Sequence, residues 1–163
     1  MSFRKIDVSD LSFNPFKKIG EEWMLLTGGS SKDNYNTMTA SWGQLGVIWN
    51  MNVLTSYIRP NRYTYEFVEN GDSFTASFFG EDKRTALAFC GAHSGRDCDK
   101  AKETGLTPME IDGCMSFEEA EMIIVCRKLY CYDLEEKGFL TNDGIPEKFF
   151  GNNPYHRAYI SEI

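Results

Sequence analysis

The chain has 163 residues, 42% of them hydrophobic, enough for one domain that buries about two-thirds of the surface its unfolded form would expose. Its 24 Asp and Glu against 17 Lys and Arg leave a formal net charge of -7, which argues against nucleic acid or an anionic membrane surface as partner. No apolar run approaches the length of a membrane span, and the charged start MSFRKIDVSDLSFNPFKK is unlike a signal peptide, so a cytoplasmic protein is expected.

Trp23 to Thr27 is apolar, ends at Gly28-Gly29 and precedes a polar run from Ser30 to Asn34, predicting a strand that leads into a loop. A second strand is predicted from Met38 to Trp42. Its small side chains would let a ligand approach main-chain amides, although the solvent face of an ordinary strand has the same composition. From Asn52 to Ile58, Val53, Thr55 and Tyr57 alternate with Leu54, Ser56 and Ile58, the period of a strand. Arg59-Pro60 stops it. Proline lacks an N–H and suits the first turn of a helix, so a short helix is predicted from near Pro60, with Tyr63 and Phe67 on one face and Asn70-Gly71-Asp72 as a left-handed terminator. The start of that helix sets free N–H groups and the positive end of its dipole beside Arg59, Arg62 and Thr64, with no acid before Glu66. Such an arrangement describes a phosphate seat. The bland alternative is a pair of solvated arginines flanking a turn.

Ser73 to Phe79, SFTASFF, is predicted as a strand. Asp82 is placed to cap a helix through Cys90 that stops at Gly91, and Ser94 to cap another through Glu103 that stops at Gly105. Met122 to Leu134 reads as one or two long strands, with a helix as the rival because thirteen residues is long for a strand. Tyr155 to Ile163 is expected to close the sheet. Six or more strands with two or three short helices fit a mainly β, antiparallel Greek-key barrel, and the absence of repeats or linkers fits a single domain over 1–163.

Five cysteines, Cys90, Cys98, Cys114, Cys126 and Cys131, are odd in number and unevenly spaced, so most are expected to be buried small hydrophobes. Cys90, His93 and Cys98 could contribute to a zinc site, but nothing supplies the fourth ligand that structural zinc requires. His93 is also a candidate proton donor, against the commoner role of a loop histidine as a structural hydrogen-bond partner. The hydrolase motif G-x-S-x-G and the dinucleotide fingerprint G-x-G-x-x-G are both absent; Gly43 to Gly46 gives only GxxG.

The succession NTMTASWG, IRPNRYTYEF and HSGRDCDK resembles the flavin reductase domain of the FMN-binding split-barrel superfamily, in the branch that includes flavoredoxin, from roughly Trp23 to the C-terminal strand. The resemblance implies an FMN-binding split barrel. Met38, Thr39, Ala40 and Ser41 are then ring contacts, with Trp42 among the aromatics lining the flavin edge, while Ser56, Arg59, Arg62, Tyr63 and Thr64 hold the phosphate. Ser94, Gly95, Arg96, Asp97 and Lys100 match a third motif that closes over the cofactor. The implied activity is an oxidoreductase passing hydride from NADH or NADPH to flavin, an anionic dinucleotide docking at a cationic cluster of Arg96 and Lys100. The alternative is an FMN-containing electron carrier whose partners are other redox proteins. A homodimer with cofactor sites at its interface is also implied, and the tail GFLTNDGIPEKFFGNNPYHRAYISEI is long enough to cover either the site or a partner subunit.

Overall fold

In the computed structural model, which describes residues 3–163, the first strand, β1, runs from Met24 to Ser31, and Met24, Leu25, Leu26 and Thr27 are all fully buried. Successive side chains of a strand point to opposite faces, so unbroken burial means that both faces are covered. On one face Met24 and Leu26 join Met38, Leu54, Ile58, Phe74, Phe78 and Tyr159 in the main core. On the other, Leu25 packs with Leu87, Cys90, Leu106 and Phe117.

Seven strands form one antiparallel sheet in the order β2 (Asn34–Ala40), β1, β5 (Ser73–Phe78), β8 (Met122–Asp133), β9 (Arg157–Glu162), β4 (Met51–Ile58) and β3 (Gly43–Ile48). The two edge strands, β2 and β3, are consecutive in the chain. Only Ser41 and Trp42 separate them, so the sheet curls until its free edges meet at this link. β8 is a single strand, not two and not a helix. Its register against β9 shifts between Lys128 and Tyr130, and such a bulge lets so long a strand bend from one side of the barrel to the other. β3 turns into β4 through Trp49-Asn50, both at positive φ (52° and 57°), the geometry of a type I′ hairpin.

A separate hairpin of β6 (Pro108–Ile111) and β7 (Cys114–Phe117) covers β1 and β5 and is pinned by side-chain hydrogen bonds: the Thr75 hydroxyl donates to the Met115 carbonyl at 2.7 Å, and the Ser77 and Ser116 hydroxyls lie 2.8 Å apart. Helix α1 (Pro15–Gly20) is capped by Asn14, whose side-chain oxygen accepts from the Phe16 and Lys17 N–H groups. Among the described residues no helix is long and apolar enough to cross a membrane.

The helix predicted from Pro60 starts later, as α2 (Tyr63–Asn70), because Pro60 to Arg62 form a turn closed by the Arg62 N–H on the Arg59 carbonyl at 3.0 Å. Its end is not left-handed. Gly71 has φ -101° and leads straight into β5. α2 crosses β1 at Gly28, where a Cβ would lie 2.8 Å from the Val68 nitrogen, so only glycine permits the approach. Asp82 caps nothing: it lies in a 3-10 turn, Glu81–Lys83, that runs into α3 (Arg84–Ala92), and Gly91 is inside that helix, which ends at His93. Ser94 closes a local turn by accepting the Arg96 N–H at 3.2 Å, and the cap of α4 (Lys100–Thr104) is Asp99, with Gly105 at φ 71° stopping it. Ser41 and Trp42 fall outside β2. Cys90, Cys114 and Cys126 are buried, whereas Cys131 is exposed at the far end of β8.

Candidate functional site

A cavity of about 410 Å³ opens where the two sheet edges meet, within the span of about 300–1,000 Å³ usual for small-molecule sites. Met38, Thr39 and Ala40 from the end of β2, followed by Ser41 and Trp42, form one side. Arg59, Asn61 and Arg62 from the turn before α2 form the opposite side, and Tyr57, Asn153 and His156 complete it. The lining holds two guanidinium groups and no carboxylate, in a chain whose net charge is -7. The cavity is therefore locally positive in a chain that is negative overall.

Each arginine has its own support. Arg62 Nη2 donates to the Gly91 carbonyl at 3.1 Å, and burial, aided by the charge of Arg59, holds its pKa below the ordinary arginine value. Arg59 Nη2 donates to the Phe149 carbonyl at 2.6 Å, at the end of α5 (Ile145–Phe149), and its Nε donates to His156 Nε2 at 3.3 Å. His156 is buried between aromatic rings, with Trp42 at 5.1 Å and Phe150 at 5.7 Å between centroids. Burial first, then the charges of Arg59 and Arg62, pushes its pKa down to about 4. The imidazole is neutral, as an acceptor of the Arg59 N–H must be.

The remaining residues singled out in the sequence divide into groups. Thr39 shares the cavity, but its hydroxyl donates to the Leu87 carbonyl. Ser56 is fully buried in β4 between Gly43 and Tyr159, outside the lining, and its Oγ has no partner among the described residues. Thr64 is buried too, accepting from Asn36 Nδ2 at 2.8 Å, which ties the first turn of α2 to β2. Tyr63 lies under the Arg96 guanidinium, 4.5 Å from the ring centroid, and Arg96 is ion-paired with Glu66. Ser94, Gly95, Arg96 and Asp97 form the loop between α3 and α4. A Cβ on Gly95 would lie 1.9 Å from Asn36 Oδ1, so this loop packs against the same asparagine that holds Thr64.

Lys100 departs most from expectation. It is 5% exposed, and its ammonium donates to the Thr37 and Cys90 carbonyls at 2.8 Å each, while burial pushes its pKa down to about 8. Arg96 and Lys100 thus do not form an exposed cationic cluster. His93 is exposed and stacked on Phe89 at 3.9 Å, away from the cavity. Among the described residues no three His, Cys, Asp or Glu side chains gather as a metal site. Four lining residues, Tyr57, Asn61, Asn153 and His156, were not singled out as site residues. The aromatic-rich tail FFGNNPYH was the only local sign of the last two, since their place depends on β9 returning beside β4.

Trp42 also separates this cavity from a second of about 550 Å³, which shares Ser41, Trp42 and Tyr57 and is otherwise lined chiefly by apolar groups of Phe16, Ile19, Leu45 and Leu134. A curled antiparallel sheet whose two edges meet at a two-residue link is the architecture of the flavin reductase-like split barrels. Residues 16–135 match the model of the flavin reductase like domain, and the chain belongs to that family. Its fold is similar to flavoredoxin from Methanosarcina acetivorans (21% sequence identity, covering 99% of this chain and 73% of that one, TM-score 0.64). It is also similar to an FMN-binding protein from Thermus thermophilus with bound p-hydroxybenzaldehyde (16%, 99% and 79%, 0.66) and to the styrene monooxygenase flavin reductase from Pseudomonas putida S12 (12%, 86% and 75%, 0.60). The sequence matches no curated protein.

The neutrality of His156 has a consequence for acid stability. A base whose folded pKa lies below its unfolded value takes up a proton on unfolding. Its contribution is therefore intact above pH 6.5 and lost as the pH falls to about 4. The loss is on the order of 3 kcal/mol. Between these limits the unfolding free energy of His156→Gln is expected to fall less than that of the wild type; parallel denaturation curves would show that His156 titrates normally.

Proposed function

We propose that the chain binds FMN non-covalently and acts as an oxidoreductase, taking electrons from NADH or NADPH that dock transiently. The observation that carries this is the pairing of Arg59 with Arg62 in a cavity of about 410 Å³ that has no carboxylate in its lining. A phosphate monoester meets two guanidinium forks there. The N-terminus of α2, which no side chain caps, begins one residue after Arg62, so the positive end of its dipole lies beside the arginines. Small residues at Ala40 and Ser41 leave main-chain groups accessible to the polar edge of a flat ring, and half-exposed Trp42 offers it an aromatic face. When bound, FMN supplies hydride and single-electron transfer; the protein supplies position and electrostatics.

One observation favours the electron-carrier alternative. Lys100 is buried and Arg96 is paired with Glu66, so the cations expected to receive a dinucleotide are already engaged. A homodimer is supported by the unpaired edge of β3 and the exposed apolar patch beside it, where Val47 is 71% exposed and Trp49 lies against Tyr130 at 6.2 Å.

Three measurements test these readings. A charge-assisted hydrogen bond contributes about 1.5–3 kcal/mol, so Arg62→Ala and Arg59→Ala should each weaken FMN binding roughly ten- to a hundred-fold in titrations of apo-protein. Unchanged affinity in both would remove the phosphate from this turn. Anaerobic mixing of the holo-protein with NADH or NADPH should bleach the flavin within about seconds, given ordinary enzyme turnover. Reduction by dithionite but by neither nicotinamide assigns the carrier role. Sedimentation at low concentration should show a dimer that dissociates more readily without flavin, since a ligand bound at an interface stabilises it by mass action. A monomer that retains its flavin contradicts the dimer.

A further inference from the structure

Arg59 and Arg62 lie close in sequence, yet they are held by different parts of the chain. Arg62 rests on α3. Arg59 is held wholly by the C-terminal segment, through the Phe149 carbonyl on Nη2 and His156 Nε2 on Nε, with the Phe150 ring 5.7 Å from its guanidinium carbon. A guanidinium has five N–H donors in a fixed fork. Two are used, which leaves both hydrogens of Nη1 and one of Nη2 without a protein partner among the described residues.

His156 is well placed to hold the plane of that fork. Its ring is wedged against Trp42 and Phe150, and it is buried. The contact at Nε fixes rotation about the last bonds of the side chain, which an unheld arginine would sample freely. Without it, the Phe149 carbonyl would still hold Nη2 and keep the charge of Arg59 near the cavity, but one contact lets the guanidinium pivot about it, and the free N–H groups would no longer share one plane. Bidentate recognition depends on that orientation; simple attraction of charge does not.

We infer that His156 is a positioning residue for anion recognition: by holding the Arg59 fork it sets how strongly the site prefers a phosphorylated flavin over its dephosphorylated counterpart. The inference rests on the phosphate reading of the cavity proposed above. It assigns His156 no proton transfer and no direct contact with the ring.

The test is the ratio of FMN to riboflavin affinity, measured by titrating the full-length apo-protein with each. His156→Leu is expected to lower that ratio about tenfold, the equivalent of one charge-assisted hydrogen bond, and His156→Gln, whose amide oxygen can accept from Arg59 Nε, should recover most of it. A purely structural role would weaken both flavins together. An unchanged ratio in His156→Leu, in a protein whose wild type prefers FMN, overturns the inference and leaves the phosphate reading standing. A wild type that binds both flavins equally overturns both. Should His156→Leu fail to fold, Arg59→Lys takes its place: it keeps the charge and loses the Nε contact, so it should lose the preference, and adding His156→Phe, which fills the same place and cannot accept a hydrogen bond, should lower the ratio no further. A further drop in that background counts against the inference.

Discussion

The carbonyl end of α3 is the point on which the site depends. The last carbonyls of a helix have no intrahelical partner and carry the negative end of its dipole. Two cations from different elements meet them: Arg62 takes the Gly91 carbonyl and Lys100 takes that of Cys90, while the same ammonium reaches Thr37 on β2. One helix end thereby joins the edge strand, the turn before α2 and the start of α4. The depressed pKa of Lys100 records the cost of burying a charge there, and its two carbonyl partners explain why the charge is tolerated. Arg62 is consequently part of the framework as well as of the cavity wall.

This arrangement explains what the sequence could and could not disclose. Strands β4, β5, β8 and β9 were legible because their apolar or alternating runs are bounded by Gly, Pro and polar clusters; β1 and β2 were legible only in part, since β1 runs on through Gly28-Gly29 to Ser31 and β2 already begins at Asn34, where a loop was expected. β3 was not, since GQLGVI carries two glycines and exposes its apolar residues at a free edge, where patterning is weak. β6 and β7 have four residues each, too short for a period to register. Helix starts were misjudged where a plausible cap, Asp82 or Ser94, had found a local turn instead, a competition that short polar side chains commonly enter.

Within the site, Met38 to Trp42 and Arg59 with Arg62 both line the cavity because short motifs place them at the end of β2 and in the turn before α2. Thr64 in the second motif, Lys100 in the third and Ser56 just before the second are buried side chains outside the lining, and a motif does not state the direction of a side chain. His156 and Asn153 arrive only through the pairing of β9 with β4, a contact across most of the chain. Similar barrels share 12–21% of their residues with this one. Such divergence is compatible with a core that asks for apolar volume and not for particular side chains.

The two-residue turn at Trp49-Asn50 reaches further than its position suggests. With Ile48 facing Met51 across it, the turn leaves no slack, and the register it sets runs down β3 to Gly43 opposite Ser56, next to Trp42. A one-residue insertion there would exchange the two faces of β3 and swing the partition between the two cavities, whereas Arg59 and Arg62 follow the other strand of the hairpin and would stay in place. Descendants of this barrel can therefore reshape the Trp42 side of the cavity by changing loop length while leaving its two arginines where they are: a modularity of lineage written into a hairpin remote from both.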